Sequence, residues 1–173
     1  MPDTPLVTGL FRDRDSAERA YRSVYERGYG RDDVNLVMSD DTRVRHFADS
    51  THATTELGTK AAEGAGIGGA IGGTLGAIAA AVAAIGTTVL LPGLGLVVAG
   101  PVAAALAGAG AGGAAGGLVG ALIGWGIPEE RVKHYEAALK EGGILMGVRP
   151  RNDSDAEHFA RSWRDANGEL IAR

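Results

Sequence analysis

The sequence predicts an α+β fold in which a ferredoxin-like, split βαβ sheet domain carries an inserted, long glycine-zipper α-helical hairpin. Two observations lead to this prediction. Strand–helix–strand patterns stand at the two ends of the chain, and between them residues 64–128 carry no charged side chain. The predicted units are the sheet domain, a polar linker, a Gly/Ala-rich hairpin and a connecting helix, at residues 1–39 with 143–173, 40–58, 59–127 and 128–142.

The N-terminal end of the chain predicts one βαβ unit. Residues 6–11 form an apolar run typical of a buried strand. Residues 15–18, Asp-Ser-Ala-Glu, match a capping box that opens a helix, and Gly28 is a suitable residue to end it. Residues 34–38 form a second apolar run, which predicts the second strand.

The C-terminal end predicts a second unit of the same kind. Residues 144–148 form a strand-like run, residues 154–157 match another capping box, and Asn167-Gly168 predicts a turn into a last strand at residues 169–172. Two such halves are the components of a split βαβ sheet. The helical hairpin would then be inserted between the second and third of its four strands.

The charge-free block contains two ladders in which glycine recurs at every fourth residue. Their members are Gly64, Gly68, Gly72 and Gly76, and then Gly108, Gly112, Gly116, Gly120 and Gly124. Four-residue spacing places these glycines on one face of a helix, where a second backbone can approach closely. We therefore predict two helices, roughly residues 59–86 and 97–125, folded back on each other. Because their side chains are small nearly all round, further backbones must pack on them, which predicts a homo-oligomer.

The predicted tip of the hairpin is apolar. It contains Leu90, Leu91, Pro92, Gly93 and Leu94, so the Pro-Gly pair typical of a turn lies among leucines. A loop in water would be more polar. The composition therefore predicts a tip that lies inside a bilayer or in the middle of an assembly.

The two connecting segments differ in character. Residues 40–58 are polar and predict a linker that ends in a helix entering the hairpin. Pro128 followed by two glutamates is a good helix start, and Gly142-Gly143 is a good helix end. This connecting helix could cover the sheet or lie beside the zipper helices.

The first strand at residues 6–11, the helix around residues 17–20 and the strand opening at Asp33-Val34 together resemble the small bacterial general-stress domain of the YflT type. The glycine-rich block followed by residues 126–130 and 142–145 is similar to bacterial proteins that share this start. The resemblance implies a stress-associated, non-enzymatic protein and transfers no catalytic residue.

The sequence predicts no catalytic, cofactor or metal site. Two G-x-G-x-x-G matches, at residues 64–69 and 108–113, lack the preceding strand and following acid of a dinucleotide site. The absence of cysteine excludes disulfides and thiolate chemistry. The histidines lack a metal-site spacing, and surface positions are expected for them; they are His46, His52, His134 and His158.

Two further features leave alternatives open. Four arginines near the third predicted helix form a predicted basic cluster: Arg149, Arg151, Arg161 and Arg164. This cluster could contact lipid headgroups or acidic residues of another copy, or it could be a solvated face. Trp125 could anchor at a membrane interface or fill a core. A net charge of −4 argues against nucleic acid as a partner.

Three functions are compatible with these patterns. The first is a self-assembling stress protein with its sheet domain in the cytoplasm and its hairpin in the inner membrane, so that its partners are itself and the lipid bilayer. A helix of about 25 residues spans about 37 Å, which is long enough to cross a bilayer. The bulky apolar residues of the first predicted helix, however, contribute only about −3 kcal/mol to its insertion. The second is a wholly cytoplasmic oligomer with the hairpins as a dry core. The third is an enzyme or a small-ligand receptor built on the sheet. The fold alone does not support this function, because a fold does not imply a function.

Overall fold

A computed structural model describes residues 6–47, 88–91, 95–101, 103, 122 and 127–173. The glycines of both predicted ladders lie outside the described residues, and so do Pro92, Gly93 and Leu94 of the predicted tip. The sheet domain at the two ends of the chain falls almost wholly within the described part.

The α+β class is confirmed. The strands are β1 (Val7–Phe11), β2 (Val34–Ser39), β3 (Thr88–Leu91), β4 (Leu96–Ala99), β5 (Ile144–Val148) and β6 (Glu169–Ala172). The helices are α1 (Arg14–Glu26), α2 (Glu129–Lys140) and α3 (Asp153–Asp165), with a 3-10 turn at Arg31–Asp33. Residues 40–47 are also helical and are called segment 40–47 below. The strands form one antiparallel sheet in the order β3-β4-β2-β5-β1-β6.

The two halves of the chain interleave in this sheet. Helix α1 connects β1 to β2, and β5 lies between these two strands. Helix α3 connects β5 to β6, and β1 lies between that pair. In the shared register Val148 of β5 faces Val7 on one side and Val34 on the other. The sheet therefore cannot form from either end of the chain alone.

Two apolar cores lie on opposite faces of the sheet. The first packs α1 and α3 against the sheet around Phe11, Phe159 and Trp163. The second packs α2 against the other face, and its members are Leu10, Val37, Leu96, Val98, Ala103, Leu122, Ile127, Val132, Tyr135, Ala138, Leu139 and Leu145. Of the two positions that the sequence left open for the connecting helix, α2 thus takes the one that covers the sheet.

The helices end where the sequence predicts, by one shared backbone motif. Gly28, Gly142 and Asn167 follow α1, α2 and α3 with positive φ angles of 79°, 98° and 63°. In each case the next N–H bonds back to a carbonyl five residues earlier, as from Gly143 to Ala138. This is the Schellman arrangement, which satisfies the last carbonyls of a helix.

The helix starts differ from the predicted capping boxes. Asp13, not the predicted residues 15–18, caps α1, because its carboxylate accepts the N–H of Ser16 at 2.8 Å. Asn152, not residues 154–157, caps α3 by accepting the N–H of Asp155 at 2.8 Å. Both helices therefore begin earlier than expected.

The middle of the charge-free block corrects the helical-hairpin prediction. Leu90 and Leu91 of the predicted tip lie in β3, and residues 97–99, predicted to open the second helix, lie in β4. The run Leu96–Ala99 is apolar with two valines, and it gains backbone partners and burial by pairing with β2. Pro101 and Ala103, which follow Gly100, are helical.

The predicted polar linker at residues 40–58 is also corrected at its start. Segment 40–47 follows β2 directly as helix. The Ser39 hydroxyl accepts the N–H of Thr42 at 3.0 Å, which satisfies a donor at the helix start. Phe47 belongs to the first core, so this segment packs against the sheet domain.

Candidate functional site

One cleft of about 290 Å³ lies at the end of the sheet where β2 leads into segment 40–47. The beginning of β4 and the end of α2 close its other sides. Its lining is mostly polar and comprises Ser39, Asp41, Thr42, Arg45, Gly95, Leu96, Lys140, Glu141 and Gly142.

Backbone and hydroxyl bonds fix the wall that segment 40–47 contributes. The Ser39 and Thr42 hydroxyls lie 2.7 Å apart and share a hydrogen bond. The Asp40 N–H donates to the Gly95 carbonyl at 2.7 Å, which holds the start of segment 40–47 against the start of β4. The two hydroxyls therefore have partners already and are held in place.

Ion pairs hold the wall at the end of α2. Lys140 lies 2.7 Å from Glu136 one turn earlier, and Glu141 lies 2.7 Å from Arg12. Arg12 also contacts Glu169 of β6 at 3.0 Å. The hydrogen bond that Arg12 donates to Glu141, and then the one it donates to Glu169, raise the pKa of Arg12. These groups are about half exposed, so the pairs position side chains more than they stabilise the fold.

The charges of the cleft are mixed. Asp41 and Arg45 are exposed at its mouth, beside Lys140 and Glu141. Such a lining can bind a small polar molecule that carries both a positive and a negative group. The cleft lining contains no buried acid–base pair of the kind that general acid–base catalysis uses.

A second polar cluster joins the loop after α1 to the start of α3. The Tyr29 hydroxyl donates to the Asp155 carboxylate at 2.6 Å, and Arg27 contacts the other carboxylate oxygen at 3.0 Å. The hydrogen bond from Tyr29 is the main cause that lowers the pKa of Asp155. Burial raises the pKa of Tyr29. Tyr29 and Arg27 belong to the first half of the sheet domain and Asp155 to the second, so this cluster joins the two halves.

Of the four arginines in the predicted basic cluster, Arg151 packs against the loop after α1. The guanidinium of Arg151 lies 4.1 Å from the centre of the Tyr29 ring and donates to the Gly28 carbonyl at 3.2 Å. Arg149, Arg161 and Arg164 are exposed. Arg151 is therefore part of the Tyr29–Asp155 cluster, a role that local sequence patterns did not suggest.

Tyr135 of α2 forms a buried polar contact that sequence reasoning missed. Its hydroxyl donates to the Leu170 carbonyl at 3.0 Å and shares a 3.1 Å hydrogen bond with the Thr8 hydroxyl. Burial raises the pKa of Tyr135. The contact joins α2 to β1 and β6 through the second core.

The three histidines within the described residues each have contacts of their own. His134 contacts the Glu130 carbonyl of its own helix at 3.0 Å, and the His46 carbonyl accepts from Arg14. His158 packs on Phe159. His52 and Trp125 lie outside the described residues. Among the residues that the structure describes, no group of His, Asp and Glu side chains is arranged to hold a metal ion.

Within the described ranges, no helix combines the length and the apolar character needed to cross a membrane. No protein-family model matches the chain, and no curated protein or solved structure matches it either.

Proposed function

We propose that this chain is a non-enzymatic, stress-associated protein that self-assembles through its glycine ladders, while a ferredoxin-like sheet domain holds the ladders at their ends. The order β2-β5-β1-β6, with α1 and α3 as crossovers, supports the split βαβ interpretation. In this interpretation β3 and β4 are additions beside β2. The stress association rests on the residues of the first strand and helix quoted above.

The observation that carries the proposal is the way in which the charge-free block is attached to the sheet. Leu96 and Val98 of β4 lie in the second core, together with Ala103 and Leu122 from the two ends of the second ladder region. Leu122 stands between Gly120 and Gly124 in the sequence and is fully buried. The sheet domain therefore fixes one residue before the second ladder, Ala103, and one near its end, Leu122.

The ladder glycines can associate with other backbones through close contact. A glycine ladder lacks the bulky side chains that would bury apolar surface within one chain. What it gains is van der Waals contact with another backbone, and further copies supply more such faces than one chain can. Self-assembly follows from this chemistry.

The assembly has two candidate environments. The first is the inner membrane, with the sheet domain in the cytoplasm and lipid around the ladders. The second is water, with the ladders as a dry core and the protein wholly cytoplasmic. The burial of Leu96 and Val98 favours the second, because it places residues that follow the predicted tip in the core of the sheet domain rather than in a bilayer.

Ladder variants with matched controls test self-assembly. Gly72→Leu and Gly116→Leu place a bulky side chain on the ladder face, whereas Thr74→Leu and Ala114→Leu place the same side chain two residues away. Light scattering should show smaller particles for the ladder variants than for their controls, with circular dichroism still reporting a folded sheet domain. Equal particle size for a ladder variant and its control contradicts the proposal.

Detergent separates the two environments. Recovery of the assembly only with detergent supports the membrane version. Recovery of a large, uniform particle without detergent supports the soluble version. A monomer under both conditions contradicts self-assembly itself.

The cleft supports a second candidate function, a receptor for a small polar molecule. The observation that favours it is a cleft of about 290 Å³ lined by charged side chains and hydroxyl groups. Native mass spectrometry of the purified protein should then reveal a retained small molecule. Arg45→Ala should reduce its retention, and a ligand-free wild-type protein would contradict this candidate.

A further inference from the structure

The two edges of the sheet differ in how well they resist pairing with another strand. At the β6 edge the register with β1 shifts between Thr8 and Leu10, and Leu170 has a positive φ of 50°. Glu169 adds a charge there. Bulges, charges and irregular backbone are the features that prevent strand addition at an edge.

The β3 edge has none of these features within its described residues. Residues Thr88–Leu91 pair with β4 in a continuous register from Thr88↔Ala99 to Leu91↔Leu96. The strand contains no charge and no proline. Among the described strands, β4 is its one neighbour. An edge of this kind presents backbone donors and acceptors to an incoming strand.

The hydrogen-bond pattern of the sheet shows which backbone groups point outward. Asp40 donates to the Gly95 carbonyl, so these two residues form a hydrogen-bonded pair that extends the β2–β4 register. Antiparallel pairs alternate between bonded and non-bonded residues. Leu96 and Val98 therefore bond to β3, through Leu91 and Val89. Thr88 and Leu90 are left with their N–H and C=O groups directed away from β4.

We propose that β3 pairs antiparallel, about a twofold axis at Val89, with β3 of a second copy of this chain. In that register Thr88 of one copy faces Leu90 of the other, and the outward groups of both residues bond across the interface. The same segment meets itself, as a twofold interface requires. Because the strand is uncharged, no like charges face each other in this interface. The two sheets become one continuous sheet.

This inference goes beyond the proposed function, because the interface lies outside the glycine ladders and can fail independently. Strand pairing joins copies in twos through main-chain bonds. Ladder packing joins copies through side-chain-free helix faces. A chain that uses both interfaces can build assemblies larger than a dimer.

Hydrogen exchange of the β3 amides gives the first test. Val89 and Leu91 bond to β4 within one copy and should be protected at every protein concentration. Thr88 and Leu90 should be protected in concentrated protein and exchange faster on dilution to the monomer. Rapid exchange of Thr88 and Leu90 at all concentrations overturns the proposal. Protection of both in a particle of monomer mass also overturns it, since the covering group would then belong to the same chain.

A proline variant gives the second test. Leu90→Pro removes an outward N–H and leaves the bonds to β4 intact, whereas Leu90→Ala shortens the side chain and keeps the N–H. In a background carrying Gly72→Leu and Gly116→Leu, light scattering should show a dimer that Leu90→Pro converts to a monomer and Leu90→Ala preserves. A background that is already monomeric overturns strand pairing and leaves the ladder proposal standing. A dimer that Leu90→Pro leaves intact overturns strand pairing as well.

Discussion

The Tyr29 hydroxyl and the Asp155 carboxylate lie 2.6 Å apart although 126 residues separate them in the chain. The contact joins the loop after α1 to the first turn of α3. Tyr29 also accepts the N–H of Arg151 at 2.7 Å, so its oxygen is bonded on both sides. The two interleaved halves of the sheet domain thus share a polar contact as well as two apolar cores.

Acid should weaken the sheet domain through this contact. The Tyr29 hydrogen bond lowers the pKa of Asp155, and the Ser16 N–H lowers that of Asp13. The unfolded chain then binds more protons, so stability rises with pH. The contribution is complete above about pH 4, the unfolded value, and is lost as pH falls through the lower folded values. Urea unfolding measured from about pH 6 down to about pH 2 crosses the unfolded carboxyl pKa of about 4 and should show this decline in stability.

Asp155→Asn identifies the source of the acid sensitivity. The variant keeps an acceptor for Tyr29 but removes the charge opposite Arg27, so it should cost about 1 kcal/mol at neutral pH. Its stability should also change less with pH below neutrality than that of wild type. Asp165→Asn removes an exposed carboxylate of the same helix and controls for net charge. A pH profile of Asp155→Asn that parallels wild type would contradict the assignment.

Tyr135→Phe should destabilise the attachment of α2 to the sheet. The variant leaves the buried Thr8 hydroxyl and the Leu170 carbonyl without the Tyr135 oxygen. An unsatisfied buried group costs about 1–3 kcal/mol, which urea unfolding at neutral pH can measure.

A double-mutant cycle tests whether the hydroxyl pair is the cause. Thr8→Val combined with Tyr135→Phe removes both hydroxyls, so the double variant should lose less stability than the two single variants added together. The expected coupling is about 1 kcal/mol. Strict additivity would show that the two hydroxyls do not stabilise each other.

Local sequence patterns predicted the elements of the sheet domain because each is bounded by strong signals. Strand β5 is an apolar run between Gly143 and Pro150, and α1 ends where Gly28 allows a positive φ angle. The start of α1 was predicted too late in the chain, because Asp13, Asp15 and Ser16 can all accept backbone N–H groups. Only the three-dimensional contact from Asp13 to Ser16 decides between them.

The strands β3 and β4 escaped prediction for a physical reason. Short apolar runs inside a charge-free block have no alternation of polar and apolar residues, so periodicity cannot separate strand from helix. Val97 and Val98 favour a strand, yet the pairing with β2 decides the outcome.

The Tyr29–Asp155 and Tyr135–Thr8 contacts also could not be predicted from local patterns, because their partners lie on opposite halves of the chain.

Gly100 should be essential for the attachment of the β3–β4 hairpin. Its φ is +113°, and a Cβ there would lie 2.5 Å from the Val34 carbonyl oxygen and 2.9 Å from Oδ1 of Asn35. Backbone atoms of β2 cannot move aside cheaply. Gly100→Ala should therefore cost roughly 3 kcal/mol, the size of a severe backbone strain.

Gly95→Ala is the matched control for Gly100→Ala, because it lies at the other end of β4. Gly95 has a φ of +60°, but a Cβ there would meet no atom within 4 Å. Only the left-handed backbone is penalised, at about 1 kcal/mol. Hydrogen exchange should show faster opening of β4 for Gly100→Ala than for Gly95→Ala, while β1 and β5 keep their protection. Equal opening of β4 in the two variants would show that the close contact of Gly100 with β2 does not hold the hairpin.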